Sequence, residues 1–423
     1  TGEFFVFKSK ATILSTARNQ AIWVFSTENS GIQTFRPRTV SGDGTAMAWR
    51  AGAVLTMMER SGSGLGMGSG YSYPHYAHAG SPSWENVPMV DANGKKLPIW
   101  DQGWIGASEY AYTGASNAGQ WEAIREGVLK GEYVLPFYGD FPGMPEIERR
   151  ATWNLMLTEE GKCPIMNKTL MDAGFDPNKD QLQGYQLIGT GSLPQWRQVD
   201  GGPTGGGVDV DWNLKTSLDG LYCAGDQIFG CHYHSSAAAT GRYAGRKAVD
   251  YTRQVNQSDV ARDQVAAEKA RVYAPIKRSN GIEWKELHAG IARAMQNYCG
   301  EYKTEALLNL GLDYLRDIEE TMVPKLYALD PHKLMRSLED LSILAVAQTI
   351  IHSSLARKAS SNFINFHRID YPEVDPPDWN KFVTVRQENG KVQTELKSID
   401  YWGSLRENYE AHNKDYAGVF EEK

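Results

Sequence analysis

The pattern of apolar and polar positions predicts a mixed α/β chain. Residues 3–16 read as an apolar strand, a turn at 8–10 and a second apolar strand. Another short apolar strand, Leu221 to Ala224, ends in Gly225-Asp226 and is followed by a loop and a helix over 235–249. That helix opens with a run of small residues, and the amides of its first turn have no helical acceptor. Such a helix start suits the close approach of a flat, polar cofactor.

A long insertion, about 70–195, separates these strands and is rich in Trp, Tyr, Gly and Pro. Its pattern predicts helices over 120–129 and 145–157, and a hairpin over 90–97 around an Asn-Gly turn. A surface decoration and a domain that covers another part of the molecule are both compatible with an insertion at this place. The density of aromatic residues favours the covering domain.

The apolar spacing becomes helical from about residue 256. Two segments each place four apolar residues on one face: Leu287, Ile291, Met295 and Tyr298, then Leu308, Leu312, Leu315 and Met322. A third segment, 334–355, is apolar on more than one face, so we predict a three-helix bundle with this helix in the centre. The polar tail, 376–423, has two strand-like runs around Asn389-Gly390, which predict a solvated hairpin.

Composition and charge narrow the function classes. A length of 423 residues allows two or three domains. The net charge of −7 does not indicate the positively charged surface that binds nucleic acid. No run approaches about 18 uninterrupted apolar residues, so we predict no membrane span. The four cysteines have no metal-type spacing, and the closest pair lies eight residues apart. We therefore expect reduced, buried thiols in a cytoplasmic protein, with no metal site and no iron–sulfur cluster on this chain.

Three blocks of sequence carry a resemblance to a known family. Residues 219–250 combine a strand, Gly-Asp and a small-residue helix; residues 41–59 read SGDGTAMAWRAGAVLTMME; and residues 366–379 contain an Arg-x-Asp-Tyr-Pro run, an acid and a Trp. Together the blocks resemble the flavoproteins that include fumarate reductase and succinate dehydrogenase, over roughly residues 5–385. The Ser235-Ser236 helix start and the ending over 379–385 are most similar to the alpha-subunit group of adenylylsulfate reductase.

The resemblance implies a fold class and a division into domains. It implies an α/β FAD-binding (Rossmann-like) domain with an inserted α+β capping domain and a C-terminal helical bundle. Residues 1–70 and 196–255 are expected to form the C-terminal part of the FAD-binding domain, and 71–195 the capping domain. Residues 256–375 are expected to form the helical domain, and 376–423 the tail.

The same resemblance implies FAD as the cofactor and an oxidoreductase activity. The residues expected to bind the cofactor lie in the first two blocks: Asp43, Gly44, Gly225, Asp226, Ser235, Ser236, Ala237 and Ala238. Enzymes of this family move a hydride to or from flavin N5, or add a nucleophile to N5. The expected substrate is a small organic or sulfur-containing molecule.

The residues before the flavin helix argue against fumarate itself as the substrate. Family members that bind fumarate carry an Arg where this chain has His232-Tyr233-His234. An Arg fork binds a carboxylate bidentately, whereas a His exchanges protons near neutral pH. His232 and His234 are therefore the candidate acid/base groups, with Tyr233 as a phenol donor or aromatic wall. Arg149 is a further candidate as a proton-delivering cation of the capping domain, although a surface helix residue fits the same pattern.

The family's usual dinucleotide turn, G-x-G-x-x-G after a first strand, has no counterpart here. The spaced glycines of 62–70 follow a helix-like segment and are expected to form a loop. Two interpretations stay open. The N-terminal part of the FAD domain is absent from this sequence or lies on another chain, or the protein is a degenerate member that binds no FAD.

The resemblance also implies partners. A separate iron–sulfur subunit would carry electrons, and we expect an oligomer with no nucleic-acid partner. Two other classes of function remain as alternatives: a non-catalytic flavoprotein that relays electrons or assists assembly, and a binding scaffold without a cofactor.

Overall fold

The computed structural model describes residues 3–19, 22–23, 40–60, 88–97, 126–135, 137–157, 171–183, 206–231, 233–300, 302–364, 366–400, 403–404 and 406–412. The chain forms two compact units. The first comprises residues 1–22, 39–61 and 203–423, and the second comprises 23–38 and 62–202. The predicted domain boundaries stay a prediction.

The strands and helices follow one another in mixed order along the chain. The strands are β1 (Thr12–Leu14), β2 (Leu55–Thr56), β3 (Met89–Val90), β4 (Tyr138–Gly139), β5 (Leu182–Gln183), β6 (Gly207–Val208), β7 (Leu221–Cys223), β8 (Tyr302–Lys303), β9 (His367–Arg368), β10 (Lys381–Glu388) and β11 (Lys391–Ser398). The helices are α1 (Asp43–Arg50), α2 (Glu146–Leu157), α3 (Tyr233–Gln254), α4 (Arg262–Val272), α5 (Trp284–Tyr298), α6 (Glu305–Thr321) and α7 (Pro331–Ala356).

The first unit is built around two small sheets. Strand β1 pairs in parallel with β7, with Thr12 opposite Leu221. A second sheet, in the order β11-β10-β2-β6, joins strands that lie far apart in sequence. Helix α3 covers β7, because Ala244 and Ala248 pack on Tyr222. The β–α unit predicted at 221–249 is therefore confirmed, with the helix beginning two residues earlier and ending five residues later.

The strand predicted at the start of the 3–16 segment is wrong. Of this segment only β1 is a strand, and Phe5 and Phe7 are exposed by 62% and 89%. An isolated strand has no stable partner for its backbone groups, and β7 pairs only with the later, apolar part of the segment. A run of apolar residues alone does not make a strand when no neighbouring segment completes the hydrogen-bond ladder.

The three-helix bundle is confirmed. Leu287, Ile291 and Met295 of α5 are completely buried, and α7 packs on both α5 and α6. Helix α7 has buried residues around most of its circumference, as expected for the central helix. Local signals set where it starts: Asp330 Oδ1 accepts from the amide of Lys333 at 2.8 Å, and Pro331 occupies the first turn.

The hairpin of the tail is confirmed, but its solvation is not. Asn389 and Gly390 adopt positive φ angles of 50° and 74° and form the turn between β10 and β11. However, Val383 and Val385 of β10 are buried, because β10 also pairs with β2 in the first unit. The sequence around the turn predicts a hairpin, but the partner strand that buries one side comes from a distant segment.

The second unit contains an antiparallel sheet, β3-β4-β5, and helix α2, which confirms the helix predicted at 145–157. Phe141, Trp153 and Phe175 pack on one another, with ring centroids 5.5 to 6.1 Å apart. These aromatic residues therefore form a core of the unit itself.

Two local predictions for the second unit can be compared with the structure. The hairpin predicted at 90–97 is present, with Val90 bridged to Lys96 and Gly94 at φ 79°. Of the helix predicted at 120–129, residues 126–129 are helical, and 120–125 lie outside the described residues.

Among the residues that the structure describes, no helix combines the length and the apolar composition needed to cross a membrane.

Candidate active site

The carboxyl end of β7 turns sharply towards helix α3. Gly225 adopts φ 63°, a left-handed conformation that favours glycine, and opens a short helical turn with Asp226 and Gln227. The amide of Gly225 donates to Thr240 Oγ1 at 2.9 Å, and that hydroxyl donates to the carbonyl of Ser236 at 2.7 Å. The turn that carries Asp226 is therefore tied back to the first turns of α3.

The first turns of α3 present small, exposed side chains. Ser235, Ala237 and Ala238 are exposed, and Ser236 is half-buried. By helix geometry, the amides of the first turn have no acceptor within the helix and carry partial positive charge. Residues 235–238 of α3 therefore offer an accessible surface of small side chains close to these electropositive amides.

The predicted acid/base residues lie at the same place in the chain. His234 is exposed in the first turn of α3. His232 and the side chain of Tyr233 lie outside the described residues, as does the glycine run 62–70. The acid/base role of all three side chains stays a prediction.

The second predicted cofactor segment begins helix α1. Asp43 is half-buried and accepts from Ser41 Oγ at 2.9 Å, which orients its carboxylate. Gly42 before it adopts φ 79°, and a Cβ there would collide with the side chain of Asn19. Gly44 is buried, so the first turn of α1 lies closely against the loop that follows β1.

The two predicted cofactor segments meet through Gln227. Its Nε2 donates to Thr45 Oγ1 at 2.9 Å, and its Oε1 accepts from Thr16 Oγ1 at 2.6 Å. Thr45 lies two residues after Asp43, and Gln227 directly follows Asp226. Segments that are 182 residues apart therefore form neighbouring walls of one region in the first unit.

Sequence reasoning missed several residues of this region: Thr16, Arg18, Thr45 and Gln227. Arg18 is only 2% exposed, and its Nη2 donates to the backbone carbonyl of Cys231, just before α3. The available signal was their position, because polar residues that follow a parallel strand lie at the edge of the sheet where ligands bind.

The electrostatics of this region follow from burial. Burial raises the pKa of the Cys223 thiol at the end of β7 to about 12, so this thiol stays protonated and is not a nucleophile. On α7, burial raises the pKa of Glu339; Arg336 opposes this rise, and the negative charge of Asp43 adds to it. The start of α1 is thus close to an acidic residue of the helical bundle.

Arg149 lies in the second unit and has several partners there. Its Nε donates to Asn178 Oδ1 at 3.1 Å, and its Nη1 donates to the carbonyl of Met144 at 3.0 Å. These contacts connect α2 to the loops on either side of it. A structural role accounts for them, and proton delivery by Arg149 stays a prediction.

The three sequence blocks that carry the resemblance are joined by buried polar contacts. Glu59, at the end of the second block, accepts from Arg357 Nε at 2.7 Å and from Ser353 Oγ at 2.6 Å. Arg357 Nη1 donates to the carbonyl of Trp379 in the C-terminal block at 3.2 Å. The blocks are thus parts of one folded unit.

Comparison with known proteins shows which proteins this chain is similar to. Residues 288–413 match the family model described as fumarate reductase flavoprotein C-term, a segment that lies C-terminal to both predicted cofactor segments. The fumarate reductase flavoprotein subunit of Haemophilus influenzae is 28% identical over 217 residues, which cover 46% of this chain and 35% of that protein. The subunit of Escherichia coli K12 is 25% identical over 175 residues, covering 37% of this chain and 29% of that protein.

The chain spans about a third of the length of these curated relatives. Over the matched segments, the chain is similar to fumarate reductase flavoprotein subunits.

Solved structures show the same fold. Adenylylsulfate reductase from Archaeoglobus fulgidus has a TM-score of 0.68 at 18% identity, covering 92% of this chain and 67% of that chain. The quinol fumarate reductase of Escherichia coli has a TM-score of 0.65 at 19% identity, covering 92% of this chain and 65% of that chain. Both matches are below 25% identity and show a shared fold.

Proposed function

We propose that this protein is an FAD-dependent oxidoreductase, or the flavoprotein subunit of one. The observation that carries the proposal is the contact between Gln227 and Thr45, which brings the Asp43 and Asp226 segments together at the start of α3. In this proposal the first unit contains the FAD-binding domain and the helical bundle, and the second unit corresponds to the capping domain. The similarity to fumarate reductase flavoprotein subunits supports the same cofactor.

The described residues fit the ring end of a flavin dinucleotide. The exposed Ser235, Ala237 and Ala238 leave the start of α3 accessible to a flat ring, and the amides there are suited to an anionic ring edge. The half-buried carboxylates of Asp43 and Asp226 are acceptors for hydroxyl or imide donors. When bound, FAD would supply the hydride chemistry that no amino-acid side chain can perform.

We further propose a substrate with less negative charge than fumarate, either a small organic molecule or a sulfur compound. His232 and His234, at the start of α3, stand in place of the fixed cation that a dicarboxylate requires, and the exposed His234 can exchange a proton with the substrate. One neighbour of known structure, with a TM-score of 0.69, is an adenosine-5-phosphosulfate reductase in complex with sulfite as a covalent adduct. That likeness supports testing sulfur compounds first.

An iron–sulfur subunit would receive or supply the electrons. Among the described residues the cysteines are Cys223, Cys231 and Cys299, which are buried and form no disulfide, and none of the described residues group into a metal site. We also propose an oligomeric, cytoplasmic protein, as the family resemblance implies.

The test of this proposal begins with the visible absorption spectrum of the purified protein and the identification of any flavin released by heat. The bound flavin is then photoreduced without oxygen and exposed separately to sulfite, adenylylsulfate, fumarate and uncharged activated alkenes. We expect FAD, together with reoxidation or adduct formation by a substrate other than fumarate. A colourless protein that does not take up FAD would contradict the proposal.

The substitution His234→Gln separates catalysis from binding. It should slow reoxidation by the substrate while leaving the FAD content unchanged. A bound flavin that reacts with none of these compounds would instead support the non-catalytic electron-relay or assembly role.

A further inference from the structure

The side chain of Gln227 crosses the interior of the proposed flavin-binding region. It is 1% exposed, and both ends of its amide are used: Oε1 accepts from Thr16 at 2.6 Å, and Nε2 donates to Thr45 at 2.9 Å. A primary amide supplies an acceptor and a donor on one rigid plane. The two threonines are thereby held at a separation set by the width of the amide.

The surroundings of Gln227 leave little freedom for a different arrangement. A Cβ on Gly44 would overlap Thr16 Oγ1 and lie 2.6 Å from Gln227 Oε1. A Cβ on Gly207 would lie 2.6 Å from the backbone carbonyl of Gln227, because β6 runs directly past this turn. Both the side chain and the backbone of Gln227 are therefore enclosed by positions at which only glycine fits without displacement.

Gly42, which precedes helix α1, provides no side-chain capping bond, and the hydroxyl of Ser41 donates to Asp43. The bond from Gln227 to Thr45 links the first turn of α1 to the turn after β7. Movement of Gln227 would change the relative positions of Asp43 and Asp226.

We propose that Gln227 is a positioning residue for the flavin: a buried amide that holds the Thr16 loop, the start of α1 and the Asp226 turn at the separation that admits the ring. It acts through Thr16 and Thr45 and does not itself contact a substrate. This inference rests on the proposed function, since it assigns a role in flavin binding.

The test compares FAD affinity, measured by flavin fluorescence on the deflavinated protein, among matched variants. Gln227→Leu removes both hydrogen bonds and should weaken FAD binding at least about tenfold, the equivalent of one net hydrogen bond. Gln264→Leu, on the exposed surface of α4, is the control for the same change of residue and should bind as the wild type does. Ile291→Val, inside the bundle, is the control for a general loss of stability.

A conservative variant gives a readout that a purely structural defect would not. In Gln227→Glu, a protonated carboxyl has the same donor and acceptor as the amide, whereas an ionised one has acceptors only. The neighbouring carboxylates of Asp43 and Asp226 disfavour a further negative charge. Relative to the wild type at each pH, this variant should regain FAD affinity as the pH falls.

The results of these experiments separate a failure of this inference from a failure of the proposed function. Equal FAD affinity of wild type and Gln227→Leu would overturn the inference while leaving the proposed function in place. A wild-type protein that takes up no FAD would overturn the proposed function, and the inference with it. If Gln227→Leu does not fold, Thr16→Val removes one of the two bonds at an exposed position, and unchanged affinity in that variant would likewise overturn the inference.

Discussion

Arg357 and Glu59 form a buried ion pair, with Arg357 Nε 2.7 Å from Glu59 Oε1 and side-chain exposures of 3% and 0%. The guanidinium also donates to the carbonyl of Lys381 at 2.9 Å. The side chain of Arg357, directly after the end of α7, therefore connects the segment after β2 with strand β10 of the tail.

Glu59→Gln should destabilise the protein by about 3 kcal/mol, because it leaves a desolvated guanidinium without its counter-charge. Urea denaturation measures this loss. Glu410→Gln, in the exposed pair with Arg406, is the matched control and should cost less than about 1 kcal/mol. If Glu59→Gln and Glu410→Gln lost the same free energy of unfolding, the buried pair would contribute no more to stability than the exposed pair.

Asp370→Asn should also reduce stability at neutral pH. Arg368 is 1% exposed and binds Asp370 with two bonds of 2.7 and 2.8 Å, and the carboxylate also accepts from the amide of Glu305. The bond from Arg368 is the main reason why the pKa of Asp370 is lowered to about 2.

A lowered carboxyl pKa stabilises the folded state above the unfolded pKa of about 4, and the effect is lost as the pH falls towards 2. Thermal unfolding of both proteins between those values should therefore show the difference between wild type and Asp370→Asn shrinking with falling pH. If the difference in stability between wild type and Asp370→Asn did not change with pH, the lowered pKa of Asp370 would not be its cause.

His352 should make stability depend on pH in a higher range. Burial, together with the smaller effect of the positive charge of Arg316, lowers the pKa of His352 to about 4. Because the unfolded chain binds a proton more readily, stability should fall as the pH drops from about 6.5 towards 4, with a slope of at most about 1.4 kcal/mol per pH unit. His352→Gln should remove this component from the unfolding midpoints, and identical pH profiles would refute the assignment.

Gly44→Ala should destabilise the first unit and weaken FAD binding, since the added methyl group collides with Thr16 Oγ1. Gly241→Ala, on α3, is the matched control: nothing lies within 4 Å of the added Cβ, and the substitution should stabilise the helix by up to about 1 kcal/mol. Differential scanning fluorimetry and FAD titration report the two effects. If Gly44→Ala changed neither the stability nor the FAD affinity, the close approach of Gly44 to Thr16 would not be required.

The parts of the fold that were predictable from sequence are those with local causes. The start of α7 follows from Asp330 and Pro331, and the bundle follows from apolar residues at helical spacing. The Asn389-Gly390 turn is likewise a local signal.

Other features depend on partners that are distant in sequence. The apolar run around Phe5 pairs with no strand among the described residues, and the burial of β10 depends on β2. The link from Gln227 to Thr45 is a hydrogen bond between single polar residues, which leaves no periodic trace in the sequence. Candidate site residues near the carboxyl end of a strand could be predicted from the sequence, but the contacts that these residues make could not.

The most direct test of a shared flavin site is amide hydrogen exchange of the purified protein with and without FAD. Protection at the starts of α1 and α3, residues 43–47 and 233–240, should increase together when FAD binds, while residues 305–308 at the start of α6 stay unchanged. Bound FAD that slows exchange at neither helix start, or at only one of them, would contradict the conclusion that the two segments form one site.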